Sequence, residues 1–230
     1  MVEITWLGHG TFQFKLDSGE VVLCDPWTDG PTYPKDHRFD RIDAILVTHG
    51  HFDHIHSVVP LAKEFKPPVA AIYEICEWLG SKGVENCCPM NKGGSQKVGP
   101  VTVTMTEAVH SCGILDDGKI IYGGEAAGFV ITFPDGRRAY FAGDTNVFTD
   151  MGLIAEMYAP ELAFLPIGDL FTMSPREAAV ACRLLKAKKV VPMHFGTFPP
   201  LTGKPEELAE LIKDLDTEVW PLEIGKPVQW

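Results

Sequence analysis

Seven consecutive residues, Thr48-His49-Gly50-His51-Phe52-Asp53-His54, stand directly after the apolar run AILV at positions 44–47 and constrain this chain more than any other feature. Histidine is intermediate in burial, and four potential ligands crowded at a strand end have no packing benefit of their own. Alternate residues of an extended segment point the same way, so His49 and His51 grip one ion from one side, while Asp53 and His54 face a second position. Neutral imidazoles with a hard carboxylate suit Zn first, with Mn, Fe or Ni accepted, rather than Mg or Ca. Four local ligands do not complete two sites. The fold must therefore deliver more ligands from distant segments.

The sequence supplies them at comparable places. Short strand-like runs, EITWL, TFQFKL, VVLCD, AILVT, VAAIY and VTVTMTEAV, fill the first half, and GFVITF and RRAYFAG flank the turn PDGR as a hairpin. His110 follows VTVTMTEAV, Asp144 ends YFAGD and His194 ends KVVPMH, each where a strand would emerge and side chains can converge on one edge of a sheet. Ser174 and Pro175 open a helix over SPREAAVACRLLKA, and a second is expected over KPEELAELIKDL from Lys204. LAFLPI and KKVVPMHF bracket the first helix as a β-α-β unit. This pattern predicts an α/β layered domain spanning residues 1–230, leaving open whether one sheet or two lie between the helices. Residues 26–40, with three prolines, read as a loop.

Charge narrows the partners. Twenty Lys+Arg against 31 Asp+Glu give a formal net charge of −11, which repels phosphate backbones, so neither nucleic acid nor a membrane is expected as a partner. With no apolar run approaching the roughly 20 residues of a membrane span, a cytoplasmic location is expected. Six cysteines without CxxC spacing are expected to be reduced, and the adjacent Cys87 and Cys88 do not make a zinc knuckle.

These residues resemble the metallo-β-lactamase superfamily, whose HxHxDH motif matches His49 to His54 without a gap. The resemblance runs over nearly the whole chain and also picks out Asp25 in VVLCDPW, His110 in AVHS, Asp144 in AGDT and His194 in PMHF. It implies a four-layer αββα sandwich with a binuclear metal site at one sheet edge: His49, His51 and His110 on the first ion, Asp53, His54 and His194 on the second, and Asp144 bridging. The segments ITWLGHGTFQF, LPIGDLFTMSPREAA and VVPMHFGTFP are similar to cytoplasmic metal-dependent hydrolases related to ascorbate-6-phosphate lactonase. Asp169 stands where that group has a small residue, and His56 where glycine is usual.

Two cations lower the pKa of a shared water from about 15.7 toward 7, supplying hydroxide for hydrolysis of a small ester, lactone or phosphodiester. Asp53 is expected to ligate metal and also relay a proton. The resemblance places His9 near the pocket as a second catalytic residue. Asp25 is expected to orient a ligand by hydrogen bonding. Arg176 suits an anionic substrate group, although it, Thr172 and Met173 read first as a helix start. The stretch from Trp27 to Phe39 suits covering a neighbour's pocket in a homo-oligomer. The competing readings are a nucleic-acid-processing phosphodiesterase, which requires a basic surface not found in the sequence, and a non-catalytic metal-binding protein.

Overall fold

The computed structural model describes residues 1–230. The chain begins with β1 (Val2–Trp6), β2 (Phe12–Leu16), β3 (Val21–Cys24), β4 (Ala44–Leu46), β5 (Val69–Ile72) and β6 (Cys87–Met90). It continues through β7 (Ser95–Val98), β8 (Val101–Glu107), β9 (Gly113–Asp116), β10 (Lys119–Tyr122), β11 (Ala127–Thr132) and β12 (Arg138–Phe141). β13 (Leu162–Pro166), β14 (Lys189–Met193), β15 (Glu218–Val219) and β16 (Pro227–Gln229) close it. The six helices are α1 (Phe52–Ile55), α2 (Val58–Phe65), α3 (Tyr73–Ser81), α4 (Met151–Tyr158), α5 (Pro175–Leu185) and α6 (Pro205–Leu211).

Two seven-stranded sheets form, in the orders β16-β1-β2-β3-β4-β5-β6 and β15-β14-β13-β12-β11-β8-β7, and β9 and β10 make a separate hairpin. Each sheet has an antiparallel half and a parallel half, β3 to β6 in one and β12 to β15 in the other. Parallel neighbours need crossovers, and these carry α1, α2 and α3 in the first sheet and α4, α5 and α6 in the second.

Side-chain alternation separates the layers. In the second sheet Phe141, Phe164 and Val191 belong to the large core shared with the first sheet. Their neighbours Tyr140, Ala142, Ala163, Leu165 and Val190 pack on the other face with Ala178, Ala181 and Leu185 of α5 and Leu208 of α6. Every residue of β13 is buried, as expected of a strand covered on both faces. Phe12 and Phe14 of β2, two residues apart and so on one face, meet Phe164 of β13 at centroid distances of 4.8 and 5.4 Å. These edge-on pairs join the sheets. The result is the four-layer αββα sandwich of the metallo-β-lactamase fold.

The strands read from the sequence form within a residue or two, and the PDGR hairpin joins β11 to β12. Ser174 caps α5 through a capping box with Glu177, with Pro175 in the first turn. The expected helix from Lys204 is shorter, ending at Leu211. A helix was expected after the motif, where α1 and α2 stand, while α3 and α4 were not read. α3 starts directly after β5, and neither it nor α4 has a side-chain cap, so no Ser, Asp or Asn bonded to the first turn announces them. The β9–β10 hairpin did carry a sequence signal: Asp117 and Gly118 both have positive φ, 48° and 76°, the requirement of a type I′ turn. No helix is long and apolar enough to cross a membrane.

Candidate metal centre

All seven sequence-predicted ligands converge. β4 delivers His49 and His51, β8 leads to His110, β12 to Asp144 and β14 to His194, each just past a strand's C-terminal end. The extended-segment reading holds only for the first half of the motif. His51 is the N-cap of α1, so Asp53 and His54 lie in a helical turn, and it is this turn that swings them away from His49 and His51. Ligand atoms of His49, His51, His110 and Asp144 lie within 4.8 Å of one another, as do those of His9, Asp53, His54 and His194.

Hydrogen bonds fix which nitrogen of each ring faces inward. Asp25, fully buried, accepts Nδ1–H of His54 on Oδ2 at 2.8 Å and the Thr48 backbone N–H on Oδ1 at 2.8 Å. Oδ2 also accepts the Thr48 hydroxyl at 2.6 Å, and that hydroxyl takes Nδ1–H of His49 at 3.0 Å. One carboxylate thereby turns Nε2 of both His54 and His49 inward, the orienting role expected of Asp25. Ser111 Oγ accepts Nε2–H of His51 at 3.1 Å and leaves Nδ1 facing the centre. With those protons turned outward, Nε2 of His49 and Nδ1 of His51 oppose bare lone pairs at 3.0 Å, and His110 Nε2 lies 3.3 Å from the same Nδ1. A tetrahedral Zn²⁺ with Zn–N of about 2.0–2.1 Å has N···N edges of roughly 3.3–3.4 Å, so the three nitrogens fit a shared cation. On the other side, buried His54 Nε2, His194 Nε2 and Asp144 Oδ1 have no hydrogen-bond partner. They meet one another only at ion-pair distances, His54 Nε2 and His194 Nε2 at 3.4 and 3.0 Å from the Asp144 carboxylate, an arrangement of inward-facing donors that a cation would satisfy.

Asp144 reaches both sets. Its carboxylate oxygens lie 3.8 Å from His49 Nε2 and 3.6 Å from His110 Nε2, and 3.4 Å from His54 Nε2 and 3.0 Å from His194 Nε2.

His9 stands behind Asp53. Burial, only partly offset by Asp53, lowers its pKa to about 4, so the ring is neutral at pH 7. Nε2–H then donates to Asp53 Oδ2 at 2.8 Å while Nδ1 accepts the Thr197 hydroxyl at 2.8 Å. Burial likewise keeps His49, His51 and His110 neutral, below their ordinary value. Burial disfavours charge on His54 and His194 too, but carboxylates led by Asp144 outweigh it, raising His54 and pushing His194 to about 9.

The backbone is bent to suit. His9, Asp25 and His194 have φ of 51°, 44° and 57°, left-handed conformations that cost L-residues roughly 1–2 kcal/mol each. Strain of this kind persists where surrounding contacts enforce it. Thr11 does so at Asp25, its hydroxyl donating to the Asp25 carbonyl at 2.7 Å and accepting the Trp27 N–H at 3.1 Å. At Gly10 a Cβ would stand 2.7 Å from Cε1 of His54, so no larger residue leaves room for that ring.

A cavity of ≈ 330 Å³ opens over the centre, lined by His51, Asp53, His110, Asp144 and His194 together with Phe52, Ser111, Phe171, Phe198 and Leu201. The sequence reading missed the last four and the hydroxyls of Thr48 and Thr197. A histidine followed by serine offered the one local hint, at Ser111. Arg176, Thr172 and Met173 do not line the cavity: Thr172 and Met173 lie in the turn before α5, where Met173 is buried in the outer core, and Arg176, in the first turn of α5, is exposed. His56 is exposed and bonds Asp29 at 3.1 Å. Cys112 accepts the Gly50 N–H at 3.3 Å and donates to Gly123 O, and burial pushes its thiol up to about 11, so it braces the motif as an inert thiol.

Asp25→Asn is expected to weaken metal binding about 10–100-fold, because the amide NH₂ opposes Nδ1–H of His54 and the Thr48 hydroxyl. Competition with a chelating dye measures it; unchanged affinity would show that Asp25 does not orient the rings.

Comparison with known proteins agrees with this fold. The family described as "Beta-lactamase superfamily domain" matches residues 20–195. A "UPF0173 metal-dependent hydrolase" of Solibacter usitatus is 70% identical, covering 100% of both chains. Another from Koribacter versatilis is 50% identical over 94% of this chain and 93% of its own. The structure of Igni18, a metallo hydrolase of the archaeon Ignicoccus hospitalis, superposes with a TM-score of 0.87 at 33% identity, covering 99% of this chain and 97% of that one. With the fold, the strand-end ligands and these relatives in agreement, the chain belongs to the β-lactamase superfamily and, within it, to the UPF0173 metal-dependent hydrolases.

Proposed function

We propose that this hydrolase holds two divalent ions, with Zn the first choice, and cleaves a small ester, lactone or phosphodiester with water. The observation that carries the binuclear reading is the Asp144 carboxylate, which lies within 3.8 Å of imidazole nitrogens from both ligand sets. His49, His51 and His110 would hold one ion and Asp53, His54 and His194 the other, with Asp144 shared between the two sets. The chemistry such a pair would supply when bound is a water acidified toward hydroxide and a polarised carbonyl or phosphoryl oxygen.

The chain's own residues do the rest. Asp53 lines the cavity and serves as proton relay. Burial opposes its charge, but His54, His194 and His9 hold it ionised well below the usual carboxylate range. It therefore accepts a proton only transiently and passes it to the leaving oxygen. For an ester, the water oxygen bonds to the carbonyl carbon as the C–O bond breaks, and the alkoxide leaves as alcohol with that proton. His9 positions Asp53 from behind, held in turn by Thr197.

Metal analysis and substrate screening test this reading. About two equivalents of metal per chain and turnover of lactones, p-nitrophenyl esters or bis-p-nitrophenyl phosphate are expected. Fully metal-loaded protein inert toward all three classes would refute hydrolysis of such bonds.

Metal uptake should also release protons. His54 and His194, raised above their ordinary value, are protonated in the metal-free protein at pH 7, and a ligating imidazole must lose that proton. Affinity should therefore climb with pH, through the loss of the His194 proton near 9 and of the His54 proton, which is also held above its ordinary range. Calorimetry in buffers of different ionisation enthalpy counts the protons; a heat independent of buffer would contradict the assigned charge states.

A further inference from the structure

We infer that the substrate of this site carries an uncharged, apolar body beyond the scissile bond, an inference that rests on the hydrolase reading above. The cavity has two unlike halves. Its floor is the ligand cluster, and the rest of its wall is Phe52, Phe171, Phe198 and Leu201, with Ser111 the one further polar residue. No lysine or arginine lines it. A phosphate or carboxylate remote from the metal floor would be desolvated against phenyl rings without a counter-charge, which is strongly unfavourable. The net charge of −11 adds no attraction for anions. This departs from the anionic group that Arg176 suggested in the sequence, because Arg176 does not reach the cavity.

The apolar wall is braced on one side and free on the other. Trp27, buried, stands edge-on to Phe52 at 5.6 Å and tilted against Phe198 at 6.0 Å, so both rings are backed by a third. The loop that the sequence marks at residues 26–40 thus shapes the cavity from behind. Phe171 instead follows two residues in left-handed backbone, Asp169 and Leu170 with φ of 68° and 48°. Phe171 is 59% exposed and Phe52 50%, and both line the cavity. Exposed phenyl rings beside a reactive centre gain most from an apolar guest, which removes their surface and its own from water. At ≈ 330 Å³ the cavity lies at the small end of ligand pockets, which span about 300–1,000 Å³, and suits a guest with one ring or a short branched chain.

The test holds the metal-binding group constant and varies the tail. Zn-loaded protein is titrated with acetohydroxamic, benzohydroxamic and 4-carboxybenzohydroxamic acids, and kcat/KM is measured for p-nitrophenyl phenylacetate and its 4-carboxy counterpart. Benzohydroxamate should bind about tenfold or more tighter than acetohydroxamate, the scale of apolar pocket discrimination. The added carboxylate should cancel that gain and lower kcat/KM by a similar factor. Phe171→Ala and Phe198→Ala should each narrow the benzo-to-aceto ratio. Equal or tighter binding of the carboxylated probe, or no preference for benzohydroxamate, overturns the inference. The predicted hydroxamate ranking with no ester, lactone or phosphodiester cleaved would leave the apolar pocket standing and remove the hydrolase reading instead.

Discussion

Asp144→Asn is expected to reduce bound metal from two equivalents to one or fewer and to lower turnover by about 10²–10³-fold, the scale of losing one preorganised electrostatic element. The substitution keeps the shape and removes the charge. Asp144 is held ionised, despite its burial, by His194 and His54, and the same carboxylate faces His49 and His110. Without it, two divalent ions would sit close together among neutral imidazoles with Asp53 as the one remaining ligand carboxylate, and mutual repulsion should expel at least one. Atomic absorption on purified variant, with circular dichroism to establish that the fold persists, checks this. A folded variant retaining both ions and full activity would mean that Asp144 is a bystander and that the two ligand sets are independent.

The second large effect concerns stability. Phe164→Ala should destabilise the protein by about 3–5 kcal/mol, as for other fully buried phenylalanines. For a chain of 230 residues that corresponds to a fall in Tm of about 6–20 °C. Phe164 is fully buried between the sheets, with Phe12, Phe14 and Phe141 at centroid distances of 4.8, 5.4 and 5.6 Å. Deleting its ring opens a void that three rigid neighbours, two on β2 of one sheet and one on β12 of the other, cannot jointly fill. Phe164→Leu should cost less, since more of the volume remains. Scanning calorimetry on metal-free protein separates the effect from metal linkage; a loss under about 1 kcal/mol would mean that the sheets close over the gap.

How much was legible in the sequence differs by residue. His49 to His54 announced themselves because a metal site needs a rare residue mixture at close spacing. His110, Asp144 and His194 were found because each ends an apolar run. Asp25 and His9 were nominated, but their partners were not: Thr48, Ser111 and Thr197 are ordinary hydroxyl residues in sequence, and only proximity to an imidazole nitrogen makes them proton partners. The helices α3 and α4 escaped because neither start has a side-chain cap, so packing on the sheets rather than local chemistry sets their limits.

The sequence by itself determined the ligand chemistry and the alternation of strands with crossovers, because both are local: residue type sets donor character, and period sets secondary structure. Only the tertiary structure decided which nitrogen of each histidine faces the centre and that phenyl rings rather than cations wall the cavity. Those are matters of angle and distance between residues up to 188 positions apart, as at His9 and Thr197. Such separations are closed by the burial of two sheets against each other and leave no local signature in the chain.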